Sequence, residues 1–113
     1  MTKIKIFKKN DIFVGFEISG HSGYSQAGKD IICASISSIS QSCALGLKKV
    51  LGINIRMKVD EDKGFLKVEL PNNINNEDLE KSQILLDTMY ISIEDLLSGY
   101  SKYISMEVIE NVY

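Results

Sequence analysis

The chain has 113 residues, of which 44% are hydrophobic and 25% are charged, and its formal net charge is −2. These values are typical of a single globular domain over residues 1–113 and exclude a disordered chain. The lysines are scattered along the sequence, so we expect no clustered basic patch and no direct nucleic-acid binding.

Two cysteines, Cys33 and Cys43, and a single histidine, His21, limit the available chemistry. Ten residues on one helix span about 15 Å, beyond the reach of a disulfide, and a zinc site needs about four closely paired ligands. We therefore expect free thiols, no metal and no cofactor, in a reducing, cytoplasmic compartment. The sequence start lacks the apolar core of a signal peptide, and no run approaches the roughly 20 apolar residues of a membrane span, so we expect no membrane association.

Alternation of apolar and polar residues predicts two strands at the start of the chain. The first covers residues 3–8 and the second covers residues 12–19. Asn10 and Asp11, between them, tolerate left-handed or turn geometry. These two strands are therefore predicted to form an antiparallel hairpin.

A polar, glycine-containing loop is predicted over residues 20–29, before a helix for which Asp30 is the N-cap and Gly52 is the stop signal. Lys48 and Lys49 fall in its last turn, where positive charge is favourable. Its apolar residues recur at helical spacing within a stripe roughly 80° wide, which predicts the buried face. This stripe contains Ile32, Ile36, Ile39, Cys43, Leu47 and Val50.

The same helical geometry separates the two cysteines. Cys43 lies inside the apolar stripe and is predicted to be a core residue. Cys33 lies on a flank of the helix that it shares with Ser37 and Ser40, and it falls in the predicted first turn.

The second half of the chain repeats the order of two strands and one helix. Strands are predicted over residues 53–59 and 65–70, a helix from Asn76 as N-cap to Gly99, and a last strand over residues 103–110. The apolar stripe of this second helix contains Leu79, Leu86, Met89, Ile93, Leu96 and Leu97.

The resulting element order is β-β-α-β-β-α-β. This order predicts an α+β two-layer sandwich, in which both helices lie on one face of a mixed, mostly antiparallel sheet. The sequence shows no internal linker or low-complexity tract that would divide it.

The junction between the second strand and the first helix carries the residues of greatest chemical interest. A thiolate is stabilised by a helix N-terminus, a nearby cation or an imidazole that takes the proton. Cys33 has the first by its predicted position, Lys29 offers the second and His21 offers the third. First-turn N–H groups could also donate to an oxyanion. These features raise the hypothesis of a thiol–imidazole pair between Cys33 and His21.

Each residue of this junction also has an explanation that involves no catalysis. A cysteine near a helix start is often a small apolar filler, and a histidine in a loop is often simply solvated. The glycines could be turn residues, Asp30 ranks as an N-cap before it ranks as a partner of His21, and Lys29 is typical of a solvated side chain. The serines have no second histidine to activate them, which disfavours a serine hydrolase.

The motif Gly20-His21-x-Gly23, followed by Gly28-Lys29-Asp30-Ile31-x-Cys33-Ala34, resembles the signature of the bacterial ribosomal-processing cysteine protease (Prp) family. The resemblance extends over essentially the whole chain. It implies a cytoplasmic homodimer with a Cys–His dyad. It also implies a substrate, the large-subunit ribosomal protein numbered twenty-seven, whose short N-terminal extension is removed after a hydrophobic, Phe-containing sequence.

Carried over residue by residue, the resemblance implies that His21 is the general base and Cys33 the nucleophile. It also implies a mobile, substrate-binding loop that contains Gly20, Ser22, Gly23, Gly28, Lys29 and Asp30. A different class of function is a non-catalytic, ribosome-associated assembly module that binds a protein partner through the same groove. A redox sensor at Cys33 would lack a nearby resolving cysteine.

Overall fold

The computed structural model describes residues 1–20 and 27–111, with the backbone alone for residues 27–30. In this part of the chain the element order is the predicted β-β-α-β-β-α-β. The elements are β1 (Thr2–Lys9), β2 (Ile12–Ser19), α1 (Ala27–Leu45), β3 (Arg56–Asp60), β4 (Phe65–Glu69), α2 (Asn76–Tyr100) and β5 (Ile104–Glu110). A π-helical turn, Gly46–Val50, continues α1.

The strands form a mixed sheet in the order β3-β4-β2-β1-β5. Neighbouring strands are antiparallel except for β1 and β5, which are parallel. One face of the sheet packs against both helices, and the buried apolar residues of the two layers form one core. This core includes Ile4, Ile6, Phe16, Ile18, Val68 and Ile104 from the strands, and Ile32, Ile36, Leu47, Leu86, Met89 and Ile93 from the helices. The predicted α+β sandwich is therefore confirmed.

The β1–β2 hairpin turns at Asn10 and Asp11, as predicted, with φ angles of 52° and 66°. Both residues are in the left-handed region, which a two-residue hairpin turn of this kind requires. Beside the turn the register of the two strands shifts. There the backbone N–H of Phe13 donates to Gln83 Oε1 at 2.8 Å, and Gln83 Nε2 donates to the Phe13 carbonyl at 2.8 Å. A side chain of α2 thus binds both backbone groups of Phe13.

The start of α1 differs from the prediction. The helix begins at Ala27, so Asp30 is not its N-cap, and Gly28 and Lys29 lie in its first turn rather than in a loop. Alanine has the highest helix propensity, and one glycine costs only about 1 kcal/mol, which a long packed helix outweighs. The polar composition of this turn carries no apolar periodicity that would predict a helix.

The end of α1 is widened by the π-helical turn. The N–H of Leu51 donates to the carbonyl of Gly46 at 3.0 Å, five residues earlier. Gly52, with φ of 66°, ends the helix as predicted. The wider turn rotates the chain less per residue, so Val50 is 80% exposed, and its predicted place in the buried stripe is wrong.

The segment Ile31–Val50 is long and apolar enough to cross a membrane, with a mean hydropathy of 1.2. The expectation that no run approaches this length is therefore wrong on composition. One face of the segment nevertheless lies in the protein core, where Ile32, Ile36 and Leu47 are at most 2% exposed. A core helix of a globular protein passes the same test of composition, and we assign α1 to that class.

The strand predicted to begin at residue 53 begins instead at Arg56. The N–H of Ile53 donates to the carbonyl of Leu47 at 2.9 Å, and the Ile53 side chain is 3% exposed. This extended segment therefore packs back on the end of the preceding helix and does not join the sheet. Alternation alone does not distinguish these two arrangements.

Helix α2 has its N-cap at Asn75, one residue before the predicted Asn76. The Asn75 side chain accepts a hydrogen bond from the backbone N–H of Asp78 at 2.8 Å. The helix ends at Tyr100, so Gly99 lies within its last turn and is not the stop signal.

Candidate active site

Cys33 lies six residues after the start of α1, in the second turn of the helix. The predicted position in the first turn is therefore wrong. The effect of the helix dipole falls off within the first turn, so the helix N-terminus would stabilise a Cys33 thiolate less than the predicted first-turn position would allow. The side chain itself is half-buried.

Cys33 borders a groove of about 620 Å³ that runs between α1 and the β3–β4 hairpin. Thr2 and Gly20 line the groove beside Cys33, and Lys48 and Lys49 line it near the other end of α1. Its apolar lining consists of Ile18, Ile36, Ala44, Leu45, Met57, Val59, Phe65 and Leu66. The volume lies in the range typical of ligand-binding clefts.

The groove exists because the two helices do not cover the β3 edge of the sheet. Met57 and Val59 are 46% and 54% exposed, although they pair with Val68 and Leu66 on the apolar side of the sheet. Asp60, in the same strand, also lines the groove. The result is an apolar channel with charged groups along its length.

The Cys33 Sγ lies 3.3 Å from the Oγ1 of Thr2, within hydrogen-bonding distance for sulfur. Thr2 is only 3% exposed. The motif and the apolar stripes in the sequence do not include this residue. The available signal was its position two residues before Ile4, which places a hydroxyl on the buried face of β1.

Gly20 ends β2 with a φ of +85° and closely approaches the start of β1. A Cβ atom at this position would lie 2.7 Å from the carbonyl oxygen of Met1. Both the left-handed backbone and the contact therefore require glycine. Among the predicted loop residues that the structure describes, Gly20 lines the groove that Cys33 borders.

His21, Ser22 and Gly23 lie outside the described residues. Gly28, Lys29 and Asp30 lie in the first turn of α1, where the structure gives the backbone. The Cys33–His21 dyad accordingly stays a prediction.

Cys43 has the surroundings of a core residue, as predicted. It is 5% exposed, and its thiol is positioned to donate to the carbonyl of Leu85 at 3.7 Å. Burial raises the pKa of the Cys43 thiol to about 12. Cys43 therefore stays protonated near neutral pH and is a poor nucleophile.

The family model described as cysteine protease Prp matches residues 1–105. The ribosomal processing cysteine protease Prp of Bacillus subtilis is 25% identical over 87 residues, which are 77% of this chain and 78% of that protein. The crystal structure of SMU.848 from Streptococcus mutans matches with a TM-score of 0.87 and 25% identity, covering 98% of this chain and 96% of that one.

The essential ribosomal processing protease Prp from S. aureus, solved in complex with a substrate peptide, shares the fold with a TM-score of 0.84. It is 16% identical and covers 96% of this chain and 100% of its own. The fold alone would not assign an activity, but the family match extends over nearly the whole chain. The chain therefore belongs to the cysteine protease Prp family and is a cysteine protease, a hydrolase of ribosomal processing.

Proposed function

We propose that residues 1–113 form one endopeptidase domain that removes the short N-terminal extension of the large-subunit ribosomal protein numbered twenty-seven. The observation that carries this proposal is the position of Cys33 on an apolar groove beside Gly20. Gly20 is followed directly by His21 in the sequence. The strand that leads to the histidine and the helix that carries the cysteine therefore meet at one groove.

In the proposed mechanism, His21 takes the proton of the Cys33 thiol and the resulting thiolate attacks the scissile carbonyl carbon. A C–S bond forms, and His21 returns the proton to the leaving amine as the C–N bond breaks. Water, activated by His21, then hydrolyses the thioester of this acyl-enzyme and releases the cleaved extension with a free carboxylate. The site requires no metal or cofactor for these steps.

The groove supports a substrate with hydrophobic residues before the cut. Its walls include Ile36, Met57, Val59 and Leu66, which can pack against apolar side chains of an extended peptide. The S. aureus Prp structures hold a substrate peptide in one case and a covalently linked product peptide in the other, on the same fold.

We further propose that residues of the family motif contact the peptide on its reactive side. These residues are Gly20, Ser22, Gly23, Gly28, Lys29 and Asp30. The position of Gly20 in the groove supports this assignment. For the last three, the proposed contact comes from the first turn of α1 rather than from a loop.

The test is cleavage of a peptide that spans the extension of the ribosomal protein from the same organism, followed by mass spectrometry. We expect one cut after the aromatic residues, lost in both Cys33→Ala and His21→Ala. Cys43→Ala is the matched control, because it removes the other thiol outside the groove and should retain the cut. Absence of cleavage by the folded wild-type protein would favour the non-catalytic binding module instead.

We also propose that the protein is a cytoplasmic homodimer, as the resemblance implies. Light scattering on a size-exclusion column should give twice the chain mass of 12.6 kDa. A monomer mass at micromolar concentration would contradict the dimer and leave the proposed chemistry unaffected.

A further inference from the structure

We propose that Thr2 is a positioning residue, whose hydroxyl holds the Cys33 sulfur and donates a hydrogen bond to its thiolate. The inference rests on the proposed function in one respect, that Cys33 is the nucleophile. It assigns a role to a residue outside the Gly20–Ala34 motif, and it explains why a hydroxyl lies on the apolar face of β1.

The position of Thr2 is fixed by the sheet. Its backbone N–H donates to the carbonyl of Tyr103 at 2.9 Å, and its Cα pairs with that of Ile104 in the parallel β5. The side chain is 3% exposed and β-branched, so it has few rotamers available. The Thr2 side chain is therefore fixed in position, and its hydroxyl can hold the more exposed Cys33 sulfur in place.

The contact suits both protonation states of the sulfur. A hydroxyl can accept or donate, and the 3.3 Å separation of Thr2 Oγ1 and Cys33 Sγ allows either direction. With the thiol present, S–H donates to Oγ1. When the base takes that proton, the hydroxyl rotates and its own hydrogen points at the negative sulfur. A hydrogen bond donated to the charged form of a group favours that form.

This contact gains importance from the observed start of α1. Because Cys33 lies in the second turn, the helix N-terminus contributes less to the thiolate than a first-turn position would allow. The Thr2 hydroxyl is in direct contact with the sulfur, so it acts on the thiolate at a much shorter distance than the helix N-terminus does. It also restricts the Cys33 rotamer, so that the sulfur stays oriented toward the groove.

A purely structural role for Thr2 makes a different prediction. If the side chain only filled space, valine would replace it without loss, because the two side chains have nearly the same shape. The hydroxyl role instead predicts that serine can replace threonine and that valine cannot.

The test is the rate of alkylation of Cys33 by iodoacetamide between pH 5 and pH 9, followed by mass spectrometry. For Thr2→Val we expect the midpoint of the pH–rate profile to move up by about one unit, since one donor to the thiolate is lost. Below the midpoint the rate falls roughly tenfold, and above pH 9 the wild-type and variant rates converge. Thr2→Ser should keep the wild-type profile, and Thr2→Ala provides a second chain without the hydroxyl if valine disturbs the packing.

Thr88→Val is the matched control. Thr88 lies on an exposed face of α2, where its hydroxyl donates to the carbonyl of Ile84 at 2.6 Å, so its removal should leave Cys33 unaffected. In the cleavage assay, Thr2→Val should lower kcat near pH 6.5 by the same factor as alkylation and leave KM unchanged.

The proposal is overturned if the folded Thr2→Val and Thr2→Ala proteins keep the wild-type profile. It is also overturned if Thr2→Ser is shifted as far as Thr2→Val. Because alkylation needs no substrate, these outcomes are separate from failure of the proposed function. If the Thr2 variants show the expected alkylation shifts and the wild-type protein cuts no peptide, the Thr2 proposal stands and the endopeptidase assignment fails.

Discussion

The two thiols of α1 have opposite surroundings on a single helix. Cys33 borders the groove and contacts a hydroxyl, whereas Cys43 is enclosed by the core between α1 and α2. Their spacing along the helix rotates one away from the buried stripe and the other into it. The difference in surroundings between the two residues thus follows from helical geometry, and we expect Cys33 to be the more reactive thiol.

The buried thiol predicts an alkaline loss of stability. Burial raises the pKa of Cys43 from 9.0 to about 12, so the folded chain holds this proton at pH values where the unfolded chain releases it. The stabilising contribution is complete below pH 9 and is lost progressively as the pH rises toward 12. By about pH 10.5 the loss amounts to about 2 kcal/mol.

Urea unfolding at pH 7, 9 and 10.5 measures this contribution. The wild-type free energy of unfolding should fall more steeply than that of Cys43→Ala, which has no thiol to titrate. The variant also loses packing in the core, but this loss is the same at every pH. It therefore separates the two plots of unfolding free energy against pH by a constant amount. Parallel curves for the two proteins would contradict the predicted linkage.

A second residue-scale prediction concerns Gly20. In Gly20→Ala the left-handed backbone costs about 1–2 kcal/mol, and the new methyl group would lie 2.7 Å from the Met1 carbonyl oxygen. The start of β1, and with it Thr2, must then shift. We expect alkylation of Cys33 and peptide cleavage to fall roughly tenfold or more, because small displacements at a reacting centre have large effects on rate.

Gly52→Ala is the control for this prediction. Gly52 has a similar φ of +66°, but a Cβ atom there meets nothing within 4 Å. The control variant should lose stability through backbone strain and keep its activity. Equal losses of activity in both variants would show that the contact at Gly20 is unimportant.

The positions of the two cysteines around the axis of α1 were predicted correctly from the sequence, because they depend only on helical periodicity. Helical angles placed Cys43 in the core and Cys33 on a flank with Ser37 and Ser40, and all three flank residues line the groove. The contact with Thr2 joins residues 31 positions apart, and no local periodicity reports such a contact. The first-turn position of Cys33 was wrong because the polar residues 27–30 gave no helical pattern.

At the scale of elements, alternation identified all five strands and helical periodicity identified both helices, since each has one apolar face. Boundaries were less accurate where an extended or polar segment follows another element. Residues 53–55 alternate like a strand but bond to the end of α1. Likewise, the spacing of apolar residues does not reveal the π-helical turn at Gly46–Val50. Because of this turn, Val50 is exposed and does not lie in the predicted buried stripe.

The link between α2 and the first hairpin gives an element-scale prediction. Gln83 forms two hydrogen bonds of 2.8 Å with the backbone of Phe13, where the register of β1 and β2 shifts. In Gln83→Ala both backbone groups lose these partners, and we expect a loss of about 2 kcal/mol in the free energy of unfolding.

Chemical denaturation at pH 7 measures the loss, with Lys81→Ala as control. Lys81 lies on the same helix and its side chain contacts Glu77 at 2.9 Å, but this ion pair is exposed and should contribute little. If Gln83→Ala is no less stable than Lys81→Ala, the hairpin does not depend on the glutamine.

At the scale of the whole molecule, the two layers are arranged asymmetrically. Both helices pack on one face of the sheet. The opposite face carries ion pairs between an exposed cation and a half-buried carboxylate, such as Lys5–Glu17 at 3.8 Å and Arg56–Glu69 at 3.4 Å. The helices leave the apolar side of β3 open, which creates the groove. The groove is thus a consequence of two helices covering a five-stranded sheet incompletely.

This arrangement predicts how groove substitutions act. Met57→Ser and Val59→Ser change exposed side chains, so stability should stay within about 0.5 kcal/mol of wild type. Each should raise KM for the peptide about fivefold and leave kcat unchanged, because an apolar contact of about 1 kcal/mol is lost equally in the ground state and the transition state.

Val108→Ser is the control, since Val108 is 40% exposed on β5 at the opposite edge of the sheet. Its KM should match that of the wild-type enzyme. An equal rise in KM for Val108→Ser, or an unchanged KM for both groove variants, would place the peptide elsewhere.

The parallel pairing of β1 with β5 has a consequence for how the enzyme is made. Thr2 is held by Tyr103 and Ile104, which follow it by about a hundred residues. A ribosome adds about 5–20 residues per second, so roughly 5–20 s separate the synthesis of Thr2 from that of the strand that fixes it. During that interval the nascent chain already contains Cys33 but lacks the strand that fixes Thr2, so we expect a newly synthesised chain to cut no peptide until its last strand has docked.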